Sequence, residues 1–142
     1  MNPILLNYYI KVLKQYADFN SRARRKEYWI FNIINSIIKG LLFFLDRMLG
    51  TTIASLDLDI TLTTKDGVDL GILFMVYALL VFIPHHAVAV RRLHDVGKSG
   101  WMLLIALIPL IGGIWLLVLY LTDSNPGENK YGPNPKEGLL YV

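Results

Sequence analysis

The chain has 142 residues, of which 54% are hydrophobic and 18% charged, and its formal net charge is +3. Its apolar residues collect in three runs with few charges, which is typical of an integral membrane protein. It contains no cysteine, so disulfides, thiolate catalysis and cysteine metal sites are excluded. We predict one all-α membrane domain over residues 1–142, with three transmembrane helices and an N-terminal interfacial amphipathic helix.

The N-terminal segment, residues 1–17, predicts a short amphipathic helix. Leu5, Tyr9 and Val12 recur at helical spacing, and Lys11 lies on another face. Aromatic and basic residues together suit a helix at the level of the lipid headgroups. The alternative is a helix that packs on the protein's own cytoplasmic side.

Three apolar segments predict the spanning helices. They cover residues 28–45, 70–90 and 101–121. The second contains Pro84, which is expected to kink it because proline removes a backbone hydrogen bond. The first carries a polar stripe that should face other helices rather than lipid. Its members are Asn32, Asn35, Ser36 and Lys39.

Two polar segments complete the chain. Residues 46–69 predict an acidic extracytoplasmic loop, in which residues 53–63 favour either a small hairpin or an irregular loop. Residues 122–142 contain proline and glycine turn signals and predict a flexible tail. Three spans would place nine Lys and Arg residues on the side of the N-terminus and four on the other. The sequence therefore predicts a cytoplasmic N-terminus and an extracytoplasmic C-terminus.

Basic residues gather at the predicted cytoplasmic face. They are Arg22, Arg24, Arg25, Lys26, Arg91, Arg92 and Lys98. Because the planar guanidinium donates two hydrogen bonds at once, such a cluster suits a phosphate, and we hypothesise a site for anionic lipid or an acidic partner. The alternative is a signal for membrane orientation combined with internal ion pairs, such as Arg25–Asp95 or Arg92–Glu27.

The loop after the second span contains turn and capping residues. Gly97 and Gly100 allow a tight reversal, and Ser99 is placed to cap the helix that follows. Trp101 would anchor that helix at the membrane interface, while Asp95 would hold the loop by accepting hydrogen bonds. The remaining members of this predicted structural motif are Glu27, Trp29, Pro84 and His94.

The histidines do not predict a metal or catalytic site. His85 and His86 are neighbours on a helix, so they point about 100° apart and cannot easily share a metal. His94 and Asp95 are adjacent, and adjacent residues rarely meet as a base and its orienting group. We predict no catalytic residue, metal, cofactor or nucleic-acid partner. Two alternatives remain open: a lipid- or phosphate-modifying enzyme that uses His94 and Asp95, and a subunit of an oligomeric transporter or channel that uses the polar stripe.

Several motifs together resemble a known family. They are YADF at Tyr16–Phe19, RARRKEYW at Arg22–Trp29 and RRLHDVGKSGW at Arg91–Trp101. In these motifs the chain resembles the YhaH/YhaI-type small bacterial inner membrane proteins, a family of unknown function (domain of unknown function 805). The resemblance implies the bacterial inner membrane and a few transmembrane helices, and it carries no catalytic residues. We therefore expect a non-enzymatic protein whose partners are anionic headgroups, another membrane protein or a second copy.

Overall fold

The computed structural model describes residues 3–53 and 70–137. Its α-helices are α1 (Pro3–Lys14), α2 (Arg25–Leu49), α3 (Ile72–Asp95) and α4 (Ile111–Leu121), and a 3₁₀ helix covers Gly100–Leu107. Within these ranges there is no strand, which confirms the all-α prediction. The hairpin or irregular loop predicted over residues 53–63 lies outside the described residues except at its first position.

The described residues form two compact units. The first comprises the described parts of Met1–Asn32 and Ile83–Val142, and the second is Ile33–Phe82. The sequence of the first contains eleven Lys and Arg residues against six Asp and Glu, so we call it the basic unit. The second holds parts of α2 and α3, and we call it the hairpin unit.

The helices α2 and α3 are each long and apolar enough to cross a bilayer. With a rise of about 1.5 Å per residue, helices of 25 and 24 residues exceed the roughly 30 Å of a hydrocarbon core. The helix α2 extends beyond both ends of the predicted span, residues 28–45. The helix α3 begins and ends closer to the C-terminus than the predicted span, residues 70–90. Pro84 is buried inside α3, and the helix continues on both sides of it.

The third apolar segment does not form the continuous helix predicted over residues 101–121. It forms the 3₁₀ helix and α4, with a sharp turn between them. Pro109 limits the conformation of its neighbours, and Leu110 has a positive φ of 63°. The Ile111 amide donates to the Pro109 carbonyl at 2.7 Å, which closes a three-residue turn around Leu110. Because of this turn, the segment does not form the predicted third spanning helix.

The two pieces of the third segment fold back on each other. A Cβ on Gly112 would lie 1.8 Å from the Ile105 carbonyl oxygen, so only glycine permits this approach. The 11 residues of α4 extend about 16 Å, roughly half of a hydrocarbon core. Neither piece is therefore long enough to cross a bilayer alone.

The reversal brings the tail onto the linker between α1 and α2. The Asn125 amide donates to the Asp95 carbonyl at 3.0 Å, and Arg22 Nη1 donates to the carbonyls of Gly127 and Gly132 at 2.8 and 3.1 Å. The sequence placed Arg22 and this tail at opposite membrane faces, and the structure brings them into contact. Residues 122–137, for which a flexible tail was predicted, thus pack within the basic unit against the linker and the end of α3.

One face of the helix α1 packs against the core of the basic unit, to which the helix belongs. Val12 is fully buried in the core, and the Tyr9 ring stacks on Phe31 with centroids 5.4 Å apart. Its other face exposes Ile4 and Leu6, which are 60% and 39% accessible. The buried face agrees with a helix that packs on the protein, and a position at the level of the lipid headgroups stays a prediction.

In the hairpin unit, a buried carboxylate joins the ends of two helices. Asp46 lies in α2, not in the predicted loop, and its carboxylate accepts the amides of Leu73 and Phe74 at 3.1 and 2.9 Å. It thereby satisfies amides in the first turn of α3 that have no partner within the helix. Thr51 Oγ1 donates to the same carboxylate at 2.7 Å. A Cβ on Gly71 would lie 1.9 Å from Asp46 Oδ2, so this site requires glycine.

The predicted polar stripe of α2 is divided among different surroundings. Tyr77 on α3 donates to Asn35 Oδ1 at 2.5 Å, so this stripe residue does face another helix. Asn32 instead donates to the Tyr28 carbonyl of its own helix at 2.8 Å. Ser36 is exposed, and Lys39 is half-buried.

Candidate functional site

The basic unit encloses a cluster of charged side chains that we call the arginine cluster: Arg22, Arg91, Arg92, Glu27 and Asp95. Arg91, Arg92, Glu27 and Asp95 are fully buried, and Arg22 is 5% exposed. Buried charges are costly unless they are paired and hydrogen-bonded. The arrangement of partners therefore decides what this cluster can do.

Glu27, in the first turn of α2, joins α1, α2 and α3. Its Oε1 accepts from Arg91 Nη1 at 3.1 Å, and its Oε2 accepts from Lys11 Nζ at 2.7 Å. Arg91 also donates to the Gln15 side-chain oxygen. Lys11 and Gln15 are four residues apart, so they lie on the same side of the segment that begins with α1. Sequence reasoning missed both, although this spacing was available as a signal.

Asp95, at the end of α3, joins α3 to the N-terminal linker and the tail. Its Oδ1 accepts from Arg22 Nε at 3.1 Å, and its Oδ2 accepts from Arg92 Nη1 and Ser124 Oγ, each at 2.5 Å. Asp95 was predicted to hold the loop by accepting hydrogen bonds; the donors that its carboxylate meets lie in the linker, in α3 and in the tail. The particular pairs Arg25–Asp95 and Arg92–Glu27 are not formed, because Arg91 faces Glu27 and Arg92 faces Asp95.

The guanidinium groups also bind backbone carbonyls at the end of α4 and in the tail. Arg92 donates to the Tyr120 carbonyl at 3.3 Å and to that of Thr122. Arg22 Nη2 donates to the Asn125 carbonyl at 2.7 Å, in addition to the two carbonyls already described. The last carbonyls of a helix have no partner within it, so these contacts cap α4 and fix the tail. No residue pattern marks such acceptors, which explains why the sequence missed them.

The remaining basic residues of the predicted site lie nearer the surface. Arg25 is exposed, donates to the Leu121 carbonyl at 3.1 Å and lies 3.6 Å from Asp123. Arg24 is half-buried, and its Nε has no partner among the described residues. Lys26 and Lys98 are exposed and form no ion pair with another residue in the described ranges. The structure therefore separates the predicted set into a buried, paired part and an exposed part.

The loop after α3 has the turn geometry that its sequence predicts. Gly97 has a φ of +72°, and a Cβ there would lie 2.6 Å from Asn125 Nδ2. The Ser99 side chain accepts from the Trp101 amide at 3.4 Å, so it caps the helix that follows, which is a 3₁₀ helix. At Gly100 a Cβ would lie 2.7 Å from Val90 Cγ1. Trp101 is 80% exposed, and its role as an interfacial anchor stays a prediction.

Two further members of the predicted motif pack inside the basic unit. The His94 ring stacks on Tyr131 with centroids 3.6 Å apart and an interplanar angle of 3°. Its backbone carbonyl accepts from Asn129 Nδ2 at 3.0 Å, so His94 contacts the tail twice. The Trp29 ring meets Tyr28 edge to face at 5.5 Å. These contacts place His94 and Trp29 in packing roles.

Asp18 orders the linker before α2 and was not predicted as a site residue. Its carboxylate accepts the amides of Asn20 and Ser21 at 3.0 and 3.3 Å, and the Ser21 hydroxyl. Burial alone would raise the pKa of Asp18, but these hydrogen bonds outweigh it, and the pKa lies below its usual value. The linker that carries Arg22 is therefore fixed on its N-terminal side.

The arginine cluster is thus a clamp made of protein groups. Within the described ranges its two carboxylates are occupied by Arg22, Arg91 and Arg92, and no group of three or more His, Asp or Glu side chains could hold a metal ion. The Nε and Nη2 atoms of Arg91 are buried in the cluster without a partner among the described residues, and the exposed charged groups nearby in sequence include Lys26 and Lys98.

Comparison with known proteins places this chain in a family. Residues 16–133 match the family described as "Protein of unknown function (DUF805)". The inner membrane protein YhaH of Escherichia coli K12 is 44% identical over 131 residues, covering 92% of this chain and 98% of YhaH. The inner membrane protein YhaI of the same strain is 38% identical over 133 residues, covering 94% and 98%.

A more distant similarity is found with the uncharacterized protein YiiR of Escherichia coli K12, which is 26% identical over 145 residues. No solved structure matches the chain significantly. The family match spans the linker with Arg22, the end of α3 and the tail up to Pro133, so it includes the whole arginine cluster. This chain therefore belongs to the DUF805 family of proteins of unknown function.

Proposed function

We propose that this protein lies in the bacterial inner membrane, crosses it with α2 and α3, and binds anionic phospholipid headgroups on its basic unit. The observation that carries the proposal is a set of exposed lysines around the paired arginine cluster. Lys14, Lys26 and Lys98 form no ion pair with another described residue. A lysine near an anionic membrane surface contributes about 1 kcal/mol to binding.

The distribution of charge supports the orientation. The basic unit has eleven Lys and Arg residues, whereas the hairpin unit has three, one of which lies in the middle of α2. Lys and Arg are retained on the cytoplasmic side. The names of YhaH and YhaI as inner membrane proteins support the same compartment.

The turn at Leu110 supports a revised membrane topology. If α2 and α3 alone cross the bilayer, the 3₁₀ helix and α4 enter and leave from the same side. Leu107, Leu110 and Ile114 are 79%, 84% and 64% exposed, which suits a segment that dips its turn into lipid. In this topology both termini are cytoplasmic, and the proposed extracytoplasmic segment joins α2 to α3.

The proposed role is binding rather than catalysis. Glu27 and Asp95 are already engaged by arginines, and His94 stacks on Tyr131 instead of meeting a carboxylate. A general base needs a side chain within hydrogen-bond reach of a reacting group. The charges left for a ligand are lysines on the surface, and these suit electrostatic attraction to headgroups.

The lipid that co-purifies with the protein tests this role. We expect Lys26→Gln/Lys98→Gln to retain about thirtyfold less phosphatidylglycerol and cardiolipin than the wild type, measured by mass spectrometry, since two lysines contribute about 2 kcal/mol. The matched control is Arg47→Gln/Lys65→Gln, which removes the same charge from the sequence of the hairpin unit. Equal lipid retention in the two folded variants would overturn the proposal.

Cysteine labelling tests the topology, because the chain has no native cysteine. A membrane-impermeant maleimide should label Asp57→Cys in cells whose outer membrane alone is permeabilised. Glu128→Cys should be labelled only after the inner membrane is opened. Labelling of Glu128→Cys under the first condition would restore the three-span topology.

A further inference from the structure

The basic unit contains a cavity apart from the arginine cluster. Its volume is about 580 Å³, within the roughly 300–1,000 Å³ typical of small-molecule sites. The end of α3, the 3₁₀ helix and the tail all contribute walls, including Val90, Leu104 and Tyr131. The cavity is therefore built from segments that the family match covers.

The interior of the cavity is mainly apolar. Val90, Leu103 and Leu104 supply aliphatic surface, and Trp101 and Tyr131 supply aromatic surface. Polar atoms come from few residues, among them Ser99, which already caps the 3₁₀ helix. Such walls favour a hydrocarbon chain over a polar metabolite, because burying a polar group without partners is costly.

The charged groups beside the cavity are basic. Lys130 Nζ lies 4.9 Å from the centroid of the Tyr131 ring, which forms part of the wall. Lys98 is exposed and immediately precedes Ser99 in the chain. No carboxylate of a described residue lines the cavity. The two that adjoin lining residues in the chain are occupied: Asp18, beside Phe19, by Asn20 and Ser21, and Asp95, beside His94, by Arg22 and Arg92. The site thus combines an apolar interior with cations at its edge.

We infer that this cavity binds a long-chain fatty acid, with the acyl chain against Val90 and Leu104 and the carboxylate near Lys98 and Lys130. The ligand carries one negative charge on one apolar chain, which matches an apolar chamber with basic residues beside it. Trp101, 80% exposed beside the cavity, is of the type that lies at the membrane interface, from which such a ligand would enter.

The arginine cluster positions one wall of this site. Tyr131 lies in the tail, one residue before Gly132, whose carbonyl accepts from Arg22 at 3.1 Å. The Tyr131 ring stacks on His94, which also lines the cavity. The clamp described above therefore holds the tail where it completes a binding chamber.

Tryptophan quenching by dibromostearate tests the inference, because bromine quenches a ring that it contacts. Two single-tryptophan proteins in dodecylmaltoside supply the comparison. The variant Trp29→Phe/Trp115→Phe keeps only Trp101, which lies beside the cavity. The variant Trp29→Phe/Trp101→Phe keeps only Trp115, which lies on the exposed side of α4. We expect saturable quenching of Trp101, reversed by unbrominated palmitate, and only non-saturable quenching of Trp115 from partition into the micelle. Equal, non-saturable quenching of both would overturn the inference.

Cavity-filling and charge variants locate the ligand. In the Trp101 protein, Leu104→Phe should raise the half-saturating concentration about tenfold, corresponding to 1.4 kcal/mol, while Leu107→Phe on the same helix leaves it unchanged. Lys130→Ala should raise it by up to about fivefold, as expected for an exposed charge pair, and Lys136→Ala should not. Equal effects within either pair would contradict the assigned site.

Ligand competition distinguishes the chemistry. The methyl ester of palmitate, which lacks the charge, should compete more weakly than palmitate. If the ester or a diacyl phosphatidylglycerol competes equally well, a fatty acid is not the ligand. The result is separable from the proposed headgroup binding, because Leu104→Phe should keep co-purified phospholipid at the wild-type level.

Discussion

The basic unit and the hairpin unit secure helix ends by different means. In the hairpin unit one carboxylate, Asp46, accepts two backbone amides at the start of α3 and one hydroxyl. In the basic unit Asp95, at the other end of α3, accepts two arginines and a serine. Asp46 caps α3 from the end of α2 through neutral donors, whereas Asp95 pairs with two buried cations, one of which, Arg22, is 73 residues away.

This difference indicates where each unit is sensitive. Removing a helix cap exposes a few backbone amides, which typically costs about 0.5–2 kcal/mol. Removing one member of a buried ion pair leaves a charge without its partner, which typically costs about 3–5 kcal/mol. We therefore expect the basic unit to depend on charge and the hairpin unit to depend more on shape.

The largest effect is expected for Asp95→Asn. This change keeps the side-chain shape but leaves Arg22 and Arg92 without a buried counter-charge, so the free energy of unfolding should fall by about 3–5 kcal/mol. Thermal unfolding in mild detergent, followed by circular dichroism, measures the loss. The tail should also become accessible to protease, because Asp95 and Arg22 together hold it.

Asp123→Asn is the matched control. The Asp123 side chain is 56% exposed and pairs with Arg25 and Lys136. Exposed pairs contribute about 0–1 kcal/mol, so this variant should unfold close to the wild-type temperature. If the two variants lose stability equally, the arginine cluster is not a clamp and the contrast between the units fails.

The hairpin unit is tested by Gly71→Ala, which adds no charge. The new Cβ would lie 1.9 Å from Asp46 Oδ2, so Asp46 must leave the first turn of α3. We expect a loss of about 1–2 kcal/mol, the cost of a cap, in the same unfolding experiment.

Gly40→Ala is the control in the same unit. A Cβ on Gly40, inside α2, meets nothing within 4 Å, and alanine is about 0.5–1 kcal/mol more favourable than glycine in a helix. This variant should therefore be stabilised. A Gly71→Ala protein that gains stability to the same extent would show that shape does not limit this unit.

The sequence located the charged cluster of the basic unit but not its pairing. Arg91 and Arg92 are adjacent on α3 and point about 100° apart, so the rotation of the helix decides which one meets Glu27. Packing sets that rotation, and no spacing in the sequence reports it. The capping residue Ser99 and the turn residue Gly97 were predicted correctly, because their roles depend only on neighbouring residues.

The third apolar segment was mispredicted for a related reason. Its length and apolar composition satisfy the test for a spanning helix, although the segment contains Pro109 and the glycine pair Gly112–Gly113. The turn forms because Leu110 takes a positive φ and Gly112 lets α4 approach the Ile105 carbonyl, which is a contact between segments. Local composition does not specify such contacts. Arg22 holds the tail through backbone carbonyl groups of the tail. Because every residue has such a group, the sequence does not mark these contacts.

Leu110→Gly examines this turn in the basic unit. Among the described residues Leu110 is the only non-glycine residue with positive φ, a conformation that costs a bulky side chain on the order of 1–3 kcal/mol. Glycine adopts it freely but loses more entropy on folding, so we expect a net gain of about 1 kcal/mol in unfolding free energy. Leu107→Gly, at a similarly exposed helical position, should lose stability. A loss in both variants would contradict the strained turn.

The smallest effect is expected when a carboxylate with partners similar to those of Asp46 is removed. Asp18 in the basic unit, like Asp46, accepts two backbone amides and one hydroxyl, and its pKa lies below the usual value despite partial burial. A depressed pKa in the folded state stabilises the protein above the unfolded-state pKa of about 4, and this contribution is lost as the pH falls through the folded-state value. The wild type should therefore unfold at a higher temperature than Asp18→Asn at pH 6, and the two should converge in acid. Ser21→Ala, which removes only the hydroxyl donor, should lie between them, because the two amide donors that fix the linker carrying Arg22 remain.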